Sequence, residues 1–344
     1  MPFQLWTGPI AIDLGTANTR VWARNGTAPV REASAVAYAR GNRPVAVGRE
    51  AWELAQRQAE RVRVVQPIQR GQVAEFGPAV AMLRAFIRRA LDRRPLFSPH
   101  AVVAVPAELS GVGQRAVRDA LRAAGASRVY AIPKSLAASL GAGLPVDGPE
   151  SRLVIDLGYS GAEVGVVSMG MLTAARSIAY GGRDLDEALR RFLWRAAGLS
   201  ISSAEAEQLK LRIGAVDPAQ VSNNIDLSAL AAPGVNVRVH PGELATVLAE
   251  ALEPLLDEIQ WTIEQLGAQQ REEIRSNGGI LCGGGALLRG VAELFSRRLG
   301  LPMVPADDPL SATILGLGAV ASELSAAPAA ARRLERIVLP GFQP

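Results

Sequence analysis

The sequence predicts a duplicated α/β fold made of two halves, each of which carries an inserted subdomain. The main observation is an internal repeat, because the run IAIDLG at Ile10–Gly15 recurs as LVIDLG at Leu153–Gly158. Each copy is followed by a second strand-like run, Thr19–Ala23 in the first half and Glu163–Val167 in the second. Two similar hairpins in one chain indicate a duplicated fold.

A strand, a turn and a helix follow the hairpin in each half. In the first half the strand is Ala101–Pro106 and the helix is Gln114–Ala124, whose apolar residues recur at helical spacing and whose end is marked by Gly125. In the second half the strand is Gly279–Cys282 and the helix is Ala286–Leu299. Both halves are therefore expected to be α/β.

Each half also carries an insertion. The first is expected at Val30–Pro67, with short strands and a helix at Arg49–Glu60. The second holds helices at Asp184–Ala197 and Ser203–Ile213 and strands at Asn224–Leu227 and Val235–Val239, after which a long amphipathic segment at Gly242–Leu266 returns the chain to the second half. An Ala- and Pro-rich tail is expected after Ser325.

Composition excludes several classes of protein. The chain has 344 residues, of which 49% are hydrophobic and 20% are charged, so disorder, collagen and coiled coil are excluded. The net charge of +4 is too small a surplus to predict nucleic-acid binding. The basic stretch Arg84–Arg94 has the spacing of a solvated helix face.

Metal sites built on cysteine or histidine are not expected, because Cys282 is the single cysteine and His100 and His240 are the only histidines. The N-terminal run MPFQLWTGP lacks a basic region and a long apolar core. No later run reaches the roughly 18 apolar residues of a spanning helix. These features predict a cytoplasmic protein without a signal peptide or a membrane-spanning helix.

The two hairpin tips are the candidate phosphate-binding loops. The first tip, Gly15-Thr16-Ala17-Asn18-Thr19, offers small side chains and consecutive backbone N–H groups that can hold an anion. Asp13 and Asp156 lie at equivalent strand ends, where a carboxylate can hold the waters of Mg²⁺. One such aspartate alone would more often cap a turn, but the duplication favours a metal and phosphate site.

Two further groups are candidates for contact with a nucleoside. Gly283-Gly284-Gly285-Ala286 follows a strand and is expected to open a helix whose N–H groups can meet a nucleotide, although a glycine triplet also suits a tight turn. Glu207 and Lys210 lie three residues apart on one helical face. Their spacing by itself favours a surface ion pair over adenosine binding.

Longer motifs resemble the actin superfamily and, within it, the MreB-like bacterial actins. The similarity covers nearly the whole chain through the segments IDLGTANTRVW, VVQPIQRGQVAEF, VAVPAELSGVGQRAVRDALRAAGA, AASLGAGLPV, IAYGGRDLDEAL, SAEAEQLKLRIG, LCGGGALLRGV and ADDPLSATILGLGAV. GAGLPV and GGGALLRG are more specific to this family than to chaperone or sugar-kinase relatives. The resemblance implies an actin-like, ribonuclease H-like fold in which four subdomains surround a cleft for ATP or ADP with Mg²⁺.

The resemblance also assigns roles to residues. Asp13 and Asp156 would order Mg²⁺ through bound water, Gly15, Thr16, Ala17 and Asn18 would hold one phosphate, and Glu207, Lys210, Gly283, Gly284, Gly285 and Ala286 would hold the adenosine. The expected boundaries are residues 1–31 and 67–147 for subdomain IA, 32–66 for IB, 148–183 and 243–324 for IIA, 184–242 for IIB, and 325–344 for a C-terminal tail.

The chain departs from the family at two places. The second phosphate loop reads Gly158-Tyr159-Ser160-Gly161, with side chains where the family has glycines. The family's water-positioning glutamate aligns with Lys134, whose ammonium cannot accept a hydrogen bond from water. Slow or absent hydrolysis is therefore expected, unless another acid such as Glu163 replaces that glutamate.

The leading functional hypothesis is an MreB-like cytoskeletal filament protein that binds ATP or ADP and supports cell shape or wall synthesis. Its expected partners are further copies of itself, the inner face of the plasma membrane, and cell-wall synthesis or cell-shape proteins. Phe3, Leu5 and Trp6 are the candidate membrane contacts, because a Trp among apolar residues suits the lipid interface. Alternatively, these three cover the edge of the first subdomain.

Two other classes of protein share the predicted fold. One is a monomeric actin-fold adaptor similar to the pilus-assembly protein PilM or the division protein FtsA, for which the apolar residues of the tail are a weak signal because Pro340 limits any helix. The other is a small-molecule kinase, which needs an acceptor-activating carboxylate for which the sequence has no motif.

Overall fold

The structure is a computed structural model that describes residues 8–23, 28–41, 43–58, 60–91, 97–221 and 239–326. The chain divides into two compact units. The first unit is made of Met1–Pro149, Gly165–Ser177 and Ser311–Pro344, and the second of Glu150–Val164 and Ile178–Leu310. The subdomain boundaries expected from the sequence are finer than this division and stay a prediction.

The strands form two five-stranded sheets, a three-stranded sheet and a two-stranded ribbon. They are β1 (Ile10–Leu14), β2 (Asn18–Ala23), β3 (Val30–Ala33), β4 (Val36–Tyr38), β5 (Pro44–Val47), β6 (Arg63–Val65), β7 (Ile68–Gln69), β8 (Gln72–Val73), β9 (Ala101–Val105), β10 (Val129–Pro133), β11 (Arg152–Leu157), β12 (Ala162–Ser168), β13 (Met171–Ile178), β14 (Gly279–Cys282) and β15 (Met303–Pro305).

The helices lie mostly between these strands. They are α1 (Arg49–Arg57), α2 (Phe76–Leu91), α3 (Gly111–Ala124), α4 (Lys134–Gly141), α5 (Gly182–Ala197), α6 (Ser203–Ile213), α7 (Pro241–Ala251), α8 (Glu253–Glu264), α9 (Ala268–Asn277), α10 (Val291–Leu299) and α11 (Ala312–Ala326). Short 3₁₀ turns occur at Pro218–Gln220 and Gly284–Leu287.

The sheet of the first unit has the strand order β10-β9-β1-β2-β3. Its central strand β1 pairs antiparallel with β2 and parallel with β9. β1 has the sequence IAIDL and is buried at every position, as expected for a strand that is covered on both faces. Helices α2, α3, α4 and α11 contribute buried side chains to the same core, among them Phe86, Leu121, Leu136 and Leu317. The first predicted hairpin is confirmed.

The second five-stranded sheet has the order β13-β12-β11-β14-β15. Its central strand β11 carries the second Ile-Asp-Leu run and pairs parallel with β14, which in turn pairs parallel with β15. A four-residue tip joins β11 to β12, its other neighbour in the sheet. Each central strand therefore has a hairpin partner on one side and a parallel strand on the other. The predicted duplication is confirmed.

The segment after β14 differs from the prediction. A helix was expected from Ala286, but the chain first forms a 3₁₀ turn at Gly284–Leu287, and α10 begins only at Val291. Each glycine costs a helix about 1 kcal/mol relative to alanine, and Gly290 interrupts the segment with a φ of 81°. The prediction of one helix opened directly by the glycine triplet is wrong.

The amphipathic segment Gly242–Leu266 forms two helices, α7 and α8, which meet at Leu252. Pro254 explains the break, because proline has no N–H group and is tolerated only in the first turn of a helix. The strands predicted at Asn224–Leu227 and Val235–Val239 lie outside the described residues, except for Val239. Residues 327–344 of the predicted tail also lie outside them.

Helices α4 and α11 of the first unit pack backbone against backbone. A Cβ atom added at Gly141 would clash with the carbonyl oxygen of Ala312 and lie 2.6 Å from the amide nitrogen of Gly316. A Cβ atom at Gly316 would in turn clash with the carbonyl oxygen of Ala137. The two glycines therefore allow a helix contact that side chains would prevent. Lys134 is the first residue of α4.

Candidate functional site

The tip between β1 and β2 is held by its glycine and by polar contacts to neighbouring segments. A Cβ atom at Gly15 would clash with the carbonyl oxygen of Asn18, so the turn requires glycine. The Ser34 hydroxyl donates to the Gly15 carbonyl at 2.6 Å, and the Ser34 amide donates to the Ala17 carbonyl at 2.9 Å. The Thr16 hydroxyl oxygen accepts from the Arg70 amide at 2.9 Å. These contacts fix the shape of the tip.

Asp13 lies next to this tip and is 3% exposed. Its Oδ2 atom forms an ion pair with Arg20 Nη1 at 3.1 Å. Its Oδ1 atom is buried and has no hydrogen-bond partner among the described residues. A buried carboxylate oxygen without a partner is costly, and oxygen is the ligand type that Mg²⁺ or its bound water prefers. Asp13 therefore keeps one buried oxygen beside the first tip without a partner in the described part of the chain, and its role toward Mg²⁺ stays a prediction.

The tip between β11 and β12 repeats the backbone constraint of the first tip. A Cβ atom at Gly158 would lie 2.6 Å from the carbonyl oxygen of Gly161, and the Gly158 amide donates to that carbonyl at 3.0 Å. In both tips a glycine thus approaches the carbonyl of the third residue after it. Asp156, the counterpart of Asp13, is also 3% exposed.

The second tip is attached to the start of α5. The Gly182 amide donates to the Gly158 carbonyl at 3.0 Å, and the Arg183 amide donates to the Tyr159 carbonyl at 2.7 Å. Gly181 approaches the tip closely, because a Cβ atom there would lie 2.6 Å from the Gly158 carbonyl oxygen and 2.8 Å from the Gly161 amide nitrogen. The paired glycines at the start of α5 therefore position this loop.

Lys210 of α6 is buried, and three groups surround its ammonium. Nζ lies 2.7 Å from Asp186 Oδ1 in an ion pair, donates to the Gly182 carbonyl at 2.7 Å, and lies 5.7 Å from the centre of the Tyr159 ring. The sequence spacing favoured a surface pair with Glu207. That prediction is wrong, because the ion-pair partner of Lys210 is Asp186, on a different helix.

Burial raises the pKa of Asp186 to about 6, although Lys210 opposes the shift, and the charges of Glu207 and Asp184 add to it. Burial also raises the pKa of Tyr159 to about 12, and the charges of Asp186 and Glu207 raise it further. Glu207 therefore lies close enough to this cluster to act on it electrostatically. Asp186 was missed by the sequence analysis, although it lies within the quoted segment IAYGGRDLDEAL.

The glycine-rich segment after β14 packs against the end of β11. Gly283 has a φ of 80°, and a Cβ atom there would lie 2.7 Å from Asp156 Oδ1. At Gly285 a Cβ atom would lie 2.7 Å from the Leu157 Cβ. The Gly283 amide donates to the Pro309 carbonyl at 2.8 Å, so the prediction that its N–H group faces a ligand is wrong. The segment lies beside Asp156, a proximity that the sequence analysis did not predict.

The structure thus groups the predicted site residues in two sets. Asp13 and the first tip lie together in the first unit, whereas Asp156, the second tip, Glu207, Lys210 and the Gly283–Ala286 segment belong to the second. Phe3, Leu5 and Trp6 lie outside the described residues. Within the described residues no group of three or more His, Cys, Asp or Glu could hold a metal ion, and no helix could cross a membrane.

The sequence model of the family described as MreB/Mbl protein matches residues 7–328. The chain belongs to the MreB/Mbl family. Two relatives illustrate the match. The cell shape-determining protein MreB of Escherichia coli (strain K12) is 32% identical over 91% of this chain and 93% of its own length. The cell shape-determining protein Mbl of Bacillus subtilis (strain 168) is 28% identical over 93% and 97%.

Solved structures confirm the actin-like fold of this MreB/Mbl family member. MreB5 of Spiroplasma citri, solved with AMPPNP, is similar with a TM-score of 0.84 and 24% identity, and the match covers 93% of this chain and 97% of that one. The MamK double helical filament gives a TM-score of 0.78 and 19% identity over 91% and 99%. The predicted family and fold class are therefore confirmed.

Proposed function

We propose that this chain is a cell-shape protein of the MreB type that binds an adenine nucleotide and assembles into filaments. The observation that carries the proposal is the family match along residues 7–328, which extends well beyond the two tips and their aspartates. Proteins of similar fold have been solved with AMPPNP, with ADP and as a double helical filament. The expected partners are copies of the chain, the membrane surface and proteins of cell-wall synthesis.

Sedimentation tests the filament proposal directly. Protein at micromolar concentration should pellet with ATP, with ADP or on lipid vesicles, and negative-stain microscopy should show filaments in the pellet. Protein that stays in the supernatant under every one of these conditions would contradict the proposal and favour a monomeric adaptor.

For nucleotide binding, we propose the following roles. The tips Gly15–Asn18 and Gly158–Gly161 hold phosphates through backbone N–H groups other than that of Gly158, which donates to Gly161. Glu207, Lys210 and Gly283–Ala286 contact the adenosine. Asp13 and Asp156 hold Mg²⁺ through its waters, and the ion supplies positive charge to the phosphates. The partnerless Oδ1 atom of Asp13 suits this role. Calorimetric titration of ADP into the protein tests these roles.

Hydrolysis of ATP is proposed to be slow. Lys134 starts α4, at the position where the resemblance places a carboxylate that orients the attacking water. An ammonium group donates but cannot accept a hydrogen bond. Loss of such a group commonly lowers the rate by about 10²–10⁴-fold. Phosphate release should therefore rise in Lys134→Glu and stay low in Lys134→Leu, whose side chain also cannot accept a hydrogen bond, and equally fast release by the unchanged chain and Lys134→Glu would contradict the proposal.

Peripheral membrane attachment is proposed through Phe3, Leu5 and Trp6. Three apolar side chains give only a marginal anchor, so attachment is expected to depend on the many copies in a filament. Flotation with liposomes tests this point. The double variant Phe3→Ser with Trp6→Ser should remain in the unbound fraction while it still sediments as filaments without lipid. Flotation unchanged by this double variant would contradict the proposed contact.

A further inference from the structure

Arg20 lies beside the aspartate that is proposed to hold Mg²⁺. Asp13 and Arg20 are direct partners in the antiparallel register of β1 and β2. Arg20 Nη1 lies 3.1 Å from Asp13 Oδ2, and the two side chains are 13% and 5% exposed. Side chains directly opposite on paired strands are close enough to interact. The hairpin therefore holds a cation on one oxygen of this carboxylate, largely away from water.

Arg20 is also kept in place from its other side. Its direct partner on β3 is Arg31, and like charges opposite each other on neighbouring strands repel. Attraction to Asp13 on one side and repulsion from Arg31 on the other both favour the observed pair. The guanidinium does not lose its proton in proteins, so the positive charge beside Asp13 is permanent.

We propose that Arg20 is a built-in counter-cation for Asp13, which makes nucleotide binding by this chain less dependent on Mg²⁺ than an uncharged residue at position 20 would. The inference rests on the proposed nucleotide-binding function. A buried carboxylate favours a nearby cation because it has lost its hydration. In this chain Arg20 already neutralises that charge, and only the Oδ1 atom of Asp13 remains for the metal and its water.

The expected behaviour differs between the natural chain and a variant without the charge. In Arg20→Leu the Asp13 carboxylate lacks its cation, so Mg²⁺ and nucleotide should bind with strong positive coupling. Coupling between two ligands typically changes affinity about 5–150-fold. Replacing Mg²⁺ by EDTA should then weaken ADP binding at least about tenfold in Arg20→Leu and less than about threefold in the natural chain.

Calorimetric titration of ADP in Mg²⁺ and in EDTA tests the proposal with four proteins: the natural chain, Arg20→Leu, Arg20→Lys and Arg31→Leu. Arg20→Lys keeps a positive charge and should retain the weak Mg²⁺ dependence. Arg31→Leu removes the repelling arginine but leaves the Arg20–Asp13 ion pair, so it should change the Mg²⁺ dependence much less than Arg20→Leu does. Circular dichroism checks that each variant is folded.

A tenfold or larger loss of ADP affinity in EDTA for the natural chain would overturn the inference, even if Arg20→Leu fails to fold. Equal Mg²⁺ dependence in the natural chain and Arg20→Leu would overturn it as well. In both cases binding of ADP with Mg²⁺ would leave the proposed function intact. Absence of ADP binding by the folded natural chain under either condition would instead overturn the proposed function, and this inference with it.

Discussion

The two hairpin tips have the same backbone constraint but different side-chain contacts. Gly15 and Gly158 each approach the carbonyl of the third residue after them, at Asn18 and Gly161. In each half a single leucine separates the tip from a buried aspartate. This leucine is Leu14 in the first half and Leu157 in the second. The two halves have therefore kept the same backbone constraint at their tips.

The contacts that hold the two tips differ. Thr16 in the first tip accepts a hydrogen bond from the Arg70 amide, whereas its counterpart Tyr159 places an aromatic ring over the Lys210 ammonium. Beside the first tip, the Arg20 guanidinium also forms an ion pair with the Asp13 carboxylate. The comparison teaches that a repeated backbone geometry does not imply repeated chemistry, and each tip must be tested separately.

The largest effect is expected from Lys210→Met, which removes the cation that holds the second tip. Breaking a buried ion pair typically lowers the free energy of unfolding by about 3–5 kcal/mol, and this loss is expected at pH 8 without nucleotide. At pH 5 the loss should be smaller, because Asp186, with a pKa already raised to about 6, becomes protonated and needs no cation. Urea denaturation at the two pH values measures the difference.

The direction of this pH dependence follows from proton linkage. A raised pKa means that Asp186 binds its proton more tightly in the folded state, so the natural chain loses stability as pH rises from about 4 to about 6. Lys210→Met should extend that loss to higher pH. The double variant Lys210→Met with Asp186→Asn should recover most of the stability at pH 8. A loss of equal size at both pH values would contradict the assignment.

The second prediction compares the two tip glycines. Gly15→Ala and Gly158→Ala should each lower the free energy of unfolding by about 1–3 kcal/mol, because each new methyl group meets a backbone carbonyl. Gly15→Ala should have the larger effect, since its clash is closer. Gly77→Ala in α2 is the matched control, because its Cβ atom would meet nothing within 4 Å. If both tip variants were as stable as Gly77→Ala, the prediction that each tip requires a glycine would be wrong.

The smallest effect concerns the ring that only the second tip has. Tyr159→Ala should lower the free energy of unfolding by about 1 kcal/mol, within the range for a cation and aromatic pair whose ring is partly exposed. Tyr159→Phe keeps the ring over Lys210 and should be neutral. Thermal denaturation of the three proteins measures the difference. Equal losses in Tyr159→Phe and Tyr159→Ala would show that the hydroxyl group, and not the ring face, makes the contact.

Local patterns in the sequence predicted both hairpins, the strands at Ala101–Pro106 and Gly279–Cys282, and several helices. The strand Gly279–Cys282 and the helix Ser203–Ile213 have the predicted bounds, because their apolar periodicity and their capping residues are local signals. Gly125, the predicted cap, ends α3 with a φ of 120°. The same kind of reasoning identified both tips, since a repeat can be seen without knowledge of the fold.

Contacts between distant segments could not be predicted in this way. Lys210 pairs with Asp186 of α5, whereas helical spacing points only to neighbours such as Glu207. The Gly283 amide bonds to Pro309, a partner on a loop that no pattern places beside it. Pairing of Arg20 with Asp13 followed from the hairpin register, and it could have been predicted from the sequence once the two strands were aligned across the tip.

The contact between α4 and α11 limits how this protein can be altered by mutation. The clash expected at Gly141 is with main-chain atoms of Ala312 and Gly316, and the clash at Gly316 is with the main chain of Ala137. A defect caused by a side chain can be suppressed by shortening its neighbour, but main-chain atoms are the same in every residue. Second-site suppressors of Gly141→Ala should therefore not arise at Ala312 or Gly316. At this contact, only reversion to glycine at position 141 should remove the clash.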